Sequence, residues 1–556
     1  MQRRIRAVFD SGPARLLPRI RLVTDLADDP ISLDLPPAVS PLTRRLELSQ
    51  FVAKLLEKEP DLAPRAALYD LSDSLAKLMD EMQGEGVSPD TIAQLDVSDQ
   101  SGHWERALQF LNIITPFFGE TNAQPDKEAR QRLVIEALAD KWAKAPPSHP
   151  IIVAGSTGSR GATALFMQAV AKLPQGAIIL PGYDFDLPDQ VWDAMDDNMT
   201  AEDHPQFRFR RLMDLIGFGN EDVRPWTTAA PAHPKRNALV SLSLRPAPVT
   251  NQWLTDGPKL GDLIAATDDL TLIEASSPRA EAETIALRLR KAAEEGITAA
   301  LISPDRMLTR QVTAALDRWN IKPDDSAGTP LALSPPGRLL RHVAGLFGQA
   351  LTGEALLTLL KHPLCHSEHP DCGDHLRHTH DLELHLRRWG PPFPTAGDLY
   401  AWAEKSADRT TWAEWLTALV TGHEDSGIQP LGEYLEQHLA LAEALCAGPG
   451  AEGAGGLWSE AAGREAVRIC GDLRRAAHAG GQLNARDYAA LFEGVINEGV
   501  VRDRDAGHPD ILIWGTLEAR VQGVDLTILG GMNDGVWPEA PAPDPWLNRM
   551  MRAKAG

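Results

Sequence analysis

Cysteine is scarce in this 556-residue chain, which has four. A disulfide-stapled secreted scaffold needs more of them in a shorter chain, so that class is excluded and a reducing cytoplasm is expected. No apolar run approaches the eighteen or so residues of a membrane-spanning helix, so no membrane partner is expected. The start, Met1-Gln-Arg-Arg-Ile-Arg6, is basic, but no apolar core or small-residue cleavage site follows, so it is not read as a secretory signal. Positive charge is short as well. The net charge of −22 excludes a uniformly basic nucleic-acid binder, while local basic patches remain possible. What is present is ordinary globular composition, 43% hydrophobic and 24% charged, in a length suited to about three or four domains.

The most informative stretch runs from His508 to Pro538. Ile511 to Trp514 and Leu526 to Leu529 are apolar runs without polar alternation, as expected of strands in a sheet covered on both faces. The link between them carries Thr516, Glu518, Arg520 and Gln522, and the second run ends in Gly530-Gly-Met-Asn-Asp-Gly535. Such a loop suits positive φ and close backbone approach. Loops at the carboxyl ends of parallel strands are where α/β proteins usually hold ligands.

Upstream, Met1 to Phe9 reads as an amphipathic helix and Leu17 to Leu26 as a strand with its exit loop. Residues 43–145 show helical apolar spacing, clearest over 46–56 and 67–79, with a further helix opening at 101–106. Strands are expected at Ile151–Ala154 and Ala177–Leu180, separated by a Gly/Ser-rich turn (155–163) and a helix. Residues 220–258 read as turns and linkers. A second strand–helix series follows: Leu270–Ala275, a helix from Pro278, Ala299–Ile302, and a helix after Asp305-Arg306, closed by 324–330. Residues from about 338 to 500 are mostly helical.

Three groups of residues could carry chemistry. The turn at 155–163 sits between a strand and a helix N-terminus, where backbone N–H groups can meet an anion. A phosphate loop would need Gly-Lys-Ser/Thr at its end, and Arg160-Gly161-Ala162-Thr163 has no lysine. In His204–Met213, Arg208, Arg210 and Arg211 alternate with Phe207 and Phe209. Arginine to phosphate and aromatic ring to base is single-strand chemistry. The plainer alternative is a helix start with its rings in the core and its arginines in solvent or ion pairs. The run with His362, Cys365, His366, His369, Cys372, His375 and His378 contains possible zinc ligands, but its spacing matches no closed set, so no metal is expected.

The Gly-Thr-Leu-Glu-Ala-Arg link at 515–520 and the Leu529-Gly-Gly-Met-Asn-Asp-Gly-Val-Trp-Pro538 ending resemble the motif V region of superfamily 1 DNA helicases, in the divergent form of the AddB subunits of AddAB helicase–nucleases and of RecC. Gln2 to Arg6 is similar to the segment after motif Ia, and 270–306 resembles motif IV and its surroundings. The resemblance implies an α/β fold with two RecA-like lobes, each carrying a parallel sheet and a helical insertion. The first lobe would span 1–265, with its insertion at about 43–145. The second would span 266–340 and 505–556, around an insertion at 341–504.

It further implies a subunit of a DNA end-resection complex acting in double-strand break repair by homologous recombination. Its partners would be DNA ends, a single strand in a channel, and an AddA-like ATP-driven helicase–nuclease. The chain departs from an active motor at two places. Ser156 and Gly158 stand where motif III has its acid and glutamine, and Pro304 stands near the γ-phosphate arginine of motif IV. The expected role is therefore a non-motor one, guiding and scanning a strand through Ser156, Thr157, Ser159, Arg160, Arg208, Arg210, Arg306, Thr516, Arg520 and Asn533. No catalytic residue and no cofactor is expected in this stretch; ATP, Mg²⁺ and an iron–sulfur cluster would belong to the whole family complex. The resemblance also implies further chain on both sides, with a phosphate-loop strand before and a nuclease domain after. An ATP-driven helicase whose phosphate loop lies upstream, and a scaffold for the partner subunit without DNA contact, are the alternatives.

Overall fold

The structure, a computed structural model, describes residues 8–9, 18–28, 31, 34–95, 101–118, 124–158, 161–196, 198–366, 372–502, 507–540 and 544–555. Ser159, Arg160, His369 and most of the helix expected at the start lie outside the described residues. The fold is mixed α/β, with parallel sheets. The chain divides into two compact units. One comprises Met1–Val39, Lys77–Ser326 and His508–Gly556, and the other Ser40–Ala76 and Ala327–Gly507. The segment 43–145, expected as one insertion, contributes to both.

Ten strands are seen among the described residues: β1 (Ile151–Ala154), β2 (Gly176–Ile179), β3 (Ala299–Ile302), β4 (Pro323–Asp325), β5 (Thr329–Pro330), β6 (Ile428–Pro430), β7 (Gln482–Asn484), β8 (Val500–Val501), β9 (His508–Trp514) and β10 (Leu526–Leu529). In the sheet-bearing unit, four of them form a parallel sheet in the order β10-β3-β9-β4. β3 is buried along its whole length because both faces are covered. Ala299 and Leu301 point into a core with Ile511, Ile513 and the apolar faces of helices Pro278–Glu295 and Arg306–Asp317. Ala300 and Ile302 point the other way, onto Leu512 and Trp514, with Ala519, Val524 and Trp537 packed against them. A strand buried on two faces needs apolar residues at every position, which is why it reads as an unbroken run.

Local signals set the helix ends. Helix Pro278–Glu295 starts with the Ser277 hydroxyl accepting the Ala280 N–H at 3.2 Å and with proline in its first turn. It stops at Gly296, in the left-handed region. Helix Arg306–Asp317 starts on the Asp305 carboxylate, which accepts the Met307 N–H at 2.7 Å and the Leu308 N–H at 3.2 Å.

A second parallel pair, β1 with β2, packs against helix Gly161–Ala171 through Val153, Phe166, Met167 and Val170. Three expectations are corrected. Leu270–Ala275 is not a strand: no neighbouring strand pairs with it among the described residues, and Leu272 is 85% exposed. The described part of Leu17–Leu26 enters a short 3₁₀ helix, Val23–Asp28, instead of a strand. The stretch 220–258, expected to contain turn and linker segments, holds the helices Pro234–Ser243 and Gln252–Asp256 as well. Finally, 323–325, read only as a closing loop, is β4, held at the edge of β9 by pairing that its own composition does not favour.

The other unit is helical, with two small antiparallel pairs, β5–β8 and β6–β7. Its core runs from Leu46 through Leu339, Leu340, Trp412 and Tyr434 to Phe492. Two polar groups inside it are bonded on both sides. Arg45 donates to Asp73 at 2.6 Å and to Glu498 at 2.7 Å. His438, fully buried, contacts the Leu340 carbonyl through Nε2 at 2.8 Å and the Tyr488 hydroxyl through Nδ1 at 2.7 Å. Among the described residues no helix is long and apolar enough to cross a membrane.

Candidate nucleic-acid interface

The register of the four-stranded sheet fixes what its carboxyl end presents. Leu529, Ile302 and Trp514 stand level across β10, β3 and β9. Gly530, Ser303 and Gly515 therefore leave the sheet side by side, and the loops behind them carry Asn533, Arg306 and Thr516 with Arg520. All four residues, expected as contacts from separate parts of the sequence, belong to this one strand-end cluster.

Their states differ. The Arg306 guanidinium lies against the Asp325 carboxylate of β4, at 3.2 and 3.4 Å. Thr516, Arg520 and Asn533 are exposed, and no ion pair of Arg520 is seen among the described residues. Met307, Leu517 and Met532 are exposed on the same three loops. The loop after β10 is held from behind: the Gly531 N–H, at φ +74°, donates to Glu281 at 2.7 Å, and the Asn533 carbonyl accepts from Trp537 at 3.0 Å. Gly530 and Gly531 are needed because a Cβ on Gly530 would stand 2.8 Å from Leu301, and Gly531 takes the positive φ that glycine adopts freely.

A second cluster surrounds the turn after β1. Ser156 accepts the Gly158 N–H at 3.2 Å, and both Ser156 and Thr157 are half-buried. The N-terminus of helix Gly161–Ala171 carries the positive end of its dipole. There the Gly161 N–H donates to the Glu85 carboxylate at 2.8 Å. A Cβ at position 161 would lie 2.9 Å from the Gly84 carbonyl oxygen, so only glycine fits. The position that a nucleotide phosphate would take is held by this carboxylate, and no lysine follows. The residues here do not fit ATP.

A cleft of about 970 Å³ opens beside this turn, lined by Gly158, Gly161, Arg132, Arg208, Arg211 and Arg552 among others. Its cations are mostly engaged. Arg208 pairs with Glu202 at 3.0 Å, Arg132 with Glu136 at 2.8 Å, and Arg552 with Glu81 at 2.8 Å. Arg210 lies 3.2 Å from Asp214, at an angle short of a hydrogen bond. Arg211 is exposed, with no ion pair among the described residues. Phe207 and Phe209, 1% and 2% exposed, sit in a core with Val191, Trp192 and Met213. The stacking half of the expected base-and-phosphate chemistry is thus absent, and the plainer reading of this helix holds for its rings. Arg549 and Arg552 were missed in the sequence, because nothing local ties 549–552 to a turn some 390 positions earlier.

In the helical unit two histidines of the His/Cys run are spent on internal bonds. His375 contacts the Leu360 carbonyl at 2.8 Å and accepts from the Trp412 indole at 3.1 Å, while His366 meets the Ala447 carbonyl at 3.2 Å. Burial lowers the pKa of His375, and brings those of His362 and His438 down to about 4. Burial pushes the thiols of Cys365 and Cys470 up to about 12. Among the described residues no three His, Cys, Asp or Glu side chains are placed to hold a metal ion.

Set against known proteins, the chain is matched by no family model, and a search of curated proteins finds no match to it.

Proposed function

We propose that the chain is a non-motor, helicase-like subunit of a DNA end-processing complex, built on two RecA-like lobes, that guides one strand through double-strand break repair while an AddA-like partner supplies ATP-driven motion and cleavage. The observation that carries the reading is the strand-end cluster. A parallel sheet brings Arg306, Thr516, Arg520 and Asn533 to its carboxyl end, the last three on a stretch whose sequence resembles motif V of that family and Arg306 on one that resembles motif IV. Support for a passive role comes from Gly161, whose amide is committed to Glu85.

In this reading Arg520 meets a backbone phosphate, Thr516 and Asn533 offer hydrogen bonds to phosphate or sugar, and Met307, Leu517 and Met532 give apolar surface to sugars and bases. Arg306 takes part only by exchanging Asp325 for a phosphate. Contacts of this kind are sequence-independent and fall with salt.

The test is fluorescence anisotropy of the full chain with a labelled single-stranded oligonucleotide across a salt series. The double variant Arg520→Ala, Asn533→Ala is expected to bind about 3- to 10-fold more weakly, with a salt slope lower by about 0.7 for the single lost phosphate contact. Unchanged affinity and slope in that variant would sink the reading.

A further inference from the structure

The helical unit carries a second basic and aromatic surface, on residues that the strand-end cluster does not use. Helix Cys372–Trp389 ends in Arg387-Arg388-Trp389, and a short loop returns the chain into helix Ala396–Ala403. Between them lies a groove of about 220 Å³ walled by Leu382, Leu386, Leu399 and Trp402, with Trp389, His385 and Lys405 at its sides. The Trp389 indole is 80% exposed, an unusual state for so large an apolar ring. Phe393 of the loop and Tyr400 of the second helix are exposed too.

The charges around the groove are sorted. Its one lining carboxylate, Asp398, is engaged as a helix cap, accepting from the Thr395 N–H at 2.9 Å and the Thr395 hydroxyl at 2.6 Å. Arg387 is held by Glu383 at 2.9 Å. Arg388 and Lys405 are exposed and make no ion pair among the described residues. The surface thus pairs an open aromatic plane with one uncommitted cation of the lining, Lys405, and a second, Arg388, beside Trp389 in the chain, on a protein whose net charge is −22. A volume of about 220 Å³ is below the roughly 300–1,000 Å³ of cofactor pockets, and it suits a single planar base.

We propose that this groove takes one unstacked base of a single-stranded nucleic acid, with the ring against Trp389 and the flanking phosphates on Arg388 and Lys405. A base within a duplex is stacked on its neighbours and cannot enter, so the site selects single strands and frayed ends. The choice of DNA as the strand rests on the function proposed above. The residues are separate, so the two ideas fail separately.

The experiment uses the full chain and a thymidine 20-mer carrying 5-iododeoxyuridine. Photocrosslinks are mapped by mass spectrometry, and affinities of variants are read by anisotropy. Crosslinks are expected within residues 385–405. Trp389→Ala should weaken binding about tenfold, Trp389→Phe should retain most of it, and Arg388→Ala with Lys405→Ala should lower the salt slope by about 1.4. Because Trp389 is exposed, these variants should melt like the parent.

Crosslinks confined to the strand-end loops, with Trp389→Ala binding unchanged, would overturn this site and leave the proposed function standing. Failure of the parent to bind the oligonucleotide at all would overturn both. A proline-rich peptide that binds Trp389 while the oligonucleotide does not would also overturn it, and would make the groove a protein-docking site.

Discussion

The two units handle their polar groups in opposite ways. In the helical unit, three buried polar side chains are turned inward and bonded to other side chains or to carbonyls: Arg45 to Asp73 and Glu498, His438 to Leu340 and Tyr488, His375 to Leu360 and Trp412. In the sheet-bearing unit, the notable polar groups stand at strand ends. There, several backbone amides that could hold an anion are taken by carboxylates. Glu85 accepts from Gly161, Asp305 from Met307 and Leu308, and Glu281 from Gly531. A phosphate arriving at any of these N–H groups must displace an internal anion that is tethered and always present. At these three positions a strand would have to be held by exposed side chains.

The largest effect that would sharpen this contrast is in the four-stranded sheet. Leu301→Ala removes a side chain with no exposed surface from a core shared by two helices and two other strands, and is expected to cost about 2–5 kcal/mol. Ile152→Ala, in the thinner β1–β2 pair, removes a half-exposed side chain and should cost under about 1 kcal/mol. Urea denaturation of both variants checks the pair. Equal losses would mean that the two sheets are covered alike.

Acid should act on the helical unit. His438 has a folded pKa of about 4 because burial disfavours its charged form, against an ordinary value of 6.5. The unfolded chain takes up the proton first, so stability is full above pH 6.5 and falls as pH drops from there toward 4. At pH 5 the loss from this residue alone is about 2 kcal/mol, read as a lower urea midpoint of the helical unit than at pH 7. His438→Gln should flatten that pH dependence while lowering stability at neutral pH. A midpoint independent of pH from 7 to 5 would break the contrast.

Smaller effects test the carboxylate-held amides. Gly161→Ala drives a methyl group against the Gly84 carbonyl and should cost about 1–3 kcal/mol, while Gly523→Ala meets nothing within 4 Å and should stay within about 0.5 kcal/mol. Glu85→Gln keeps the size of the side chain and removes its charge. It should leave ATP hydrolysis absent and lower the thermal midpoint by only a few degrees, since one exposed charged hydrogen bond to a helix end is worth about 1 kcal/mol. Appearance of ATPase activity in Glu85→Gln would mean that this turn is a plugged catalytic loop.

What could be read from the sequence follows the range of the forces involved. Ala299–Ile302 was legible because a strand in a covered sheet needs apolar residues at every position. Leu526–Leu529, expected to be covered on both faces as well, is instead an edge strand with Thr527 and Leu529 exposed. Helix Pro278–Glu295 was legible because its serine, its first-turn proline and its terminal glycine act within a few residues. Pro323–Asp325 was not, since nothing in those three residues favours a strand and only the neighbouring β9 makes them one. Leu270–Ala275 failed in the reverse direction, as an apolar run without a neighbour to pair with. In the sites, strand-end residues could be named because a strand announces its own end. Glu85 could not, being 76 positions from the amide that it binds.

Arg45 has one more consequence, for synthesis. Its guanidinium reaches Glu498, 453 positions later. At about 5–20 residues per second on the ribosome, roughly 20–90 s separate the emergence of the two partners. Through most of that interval the helix of residues 41–58 lacks helix Glu460–Ala476, which packs against it. The helical unit closes only after residue 498 has emerged, so its first helix is a place where a nascent chain of this protein would need a chaperone.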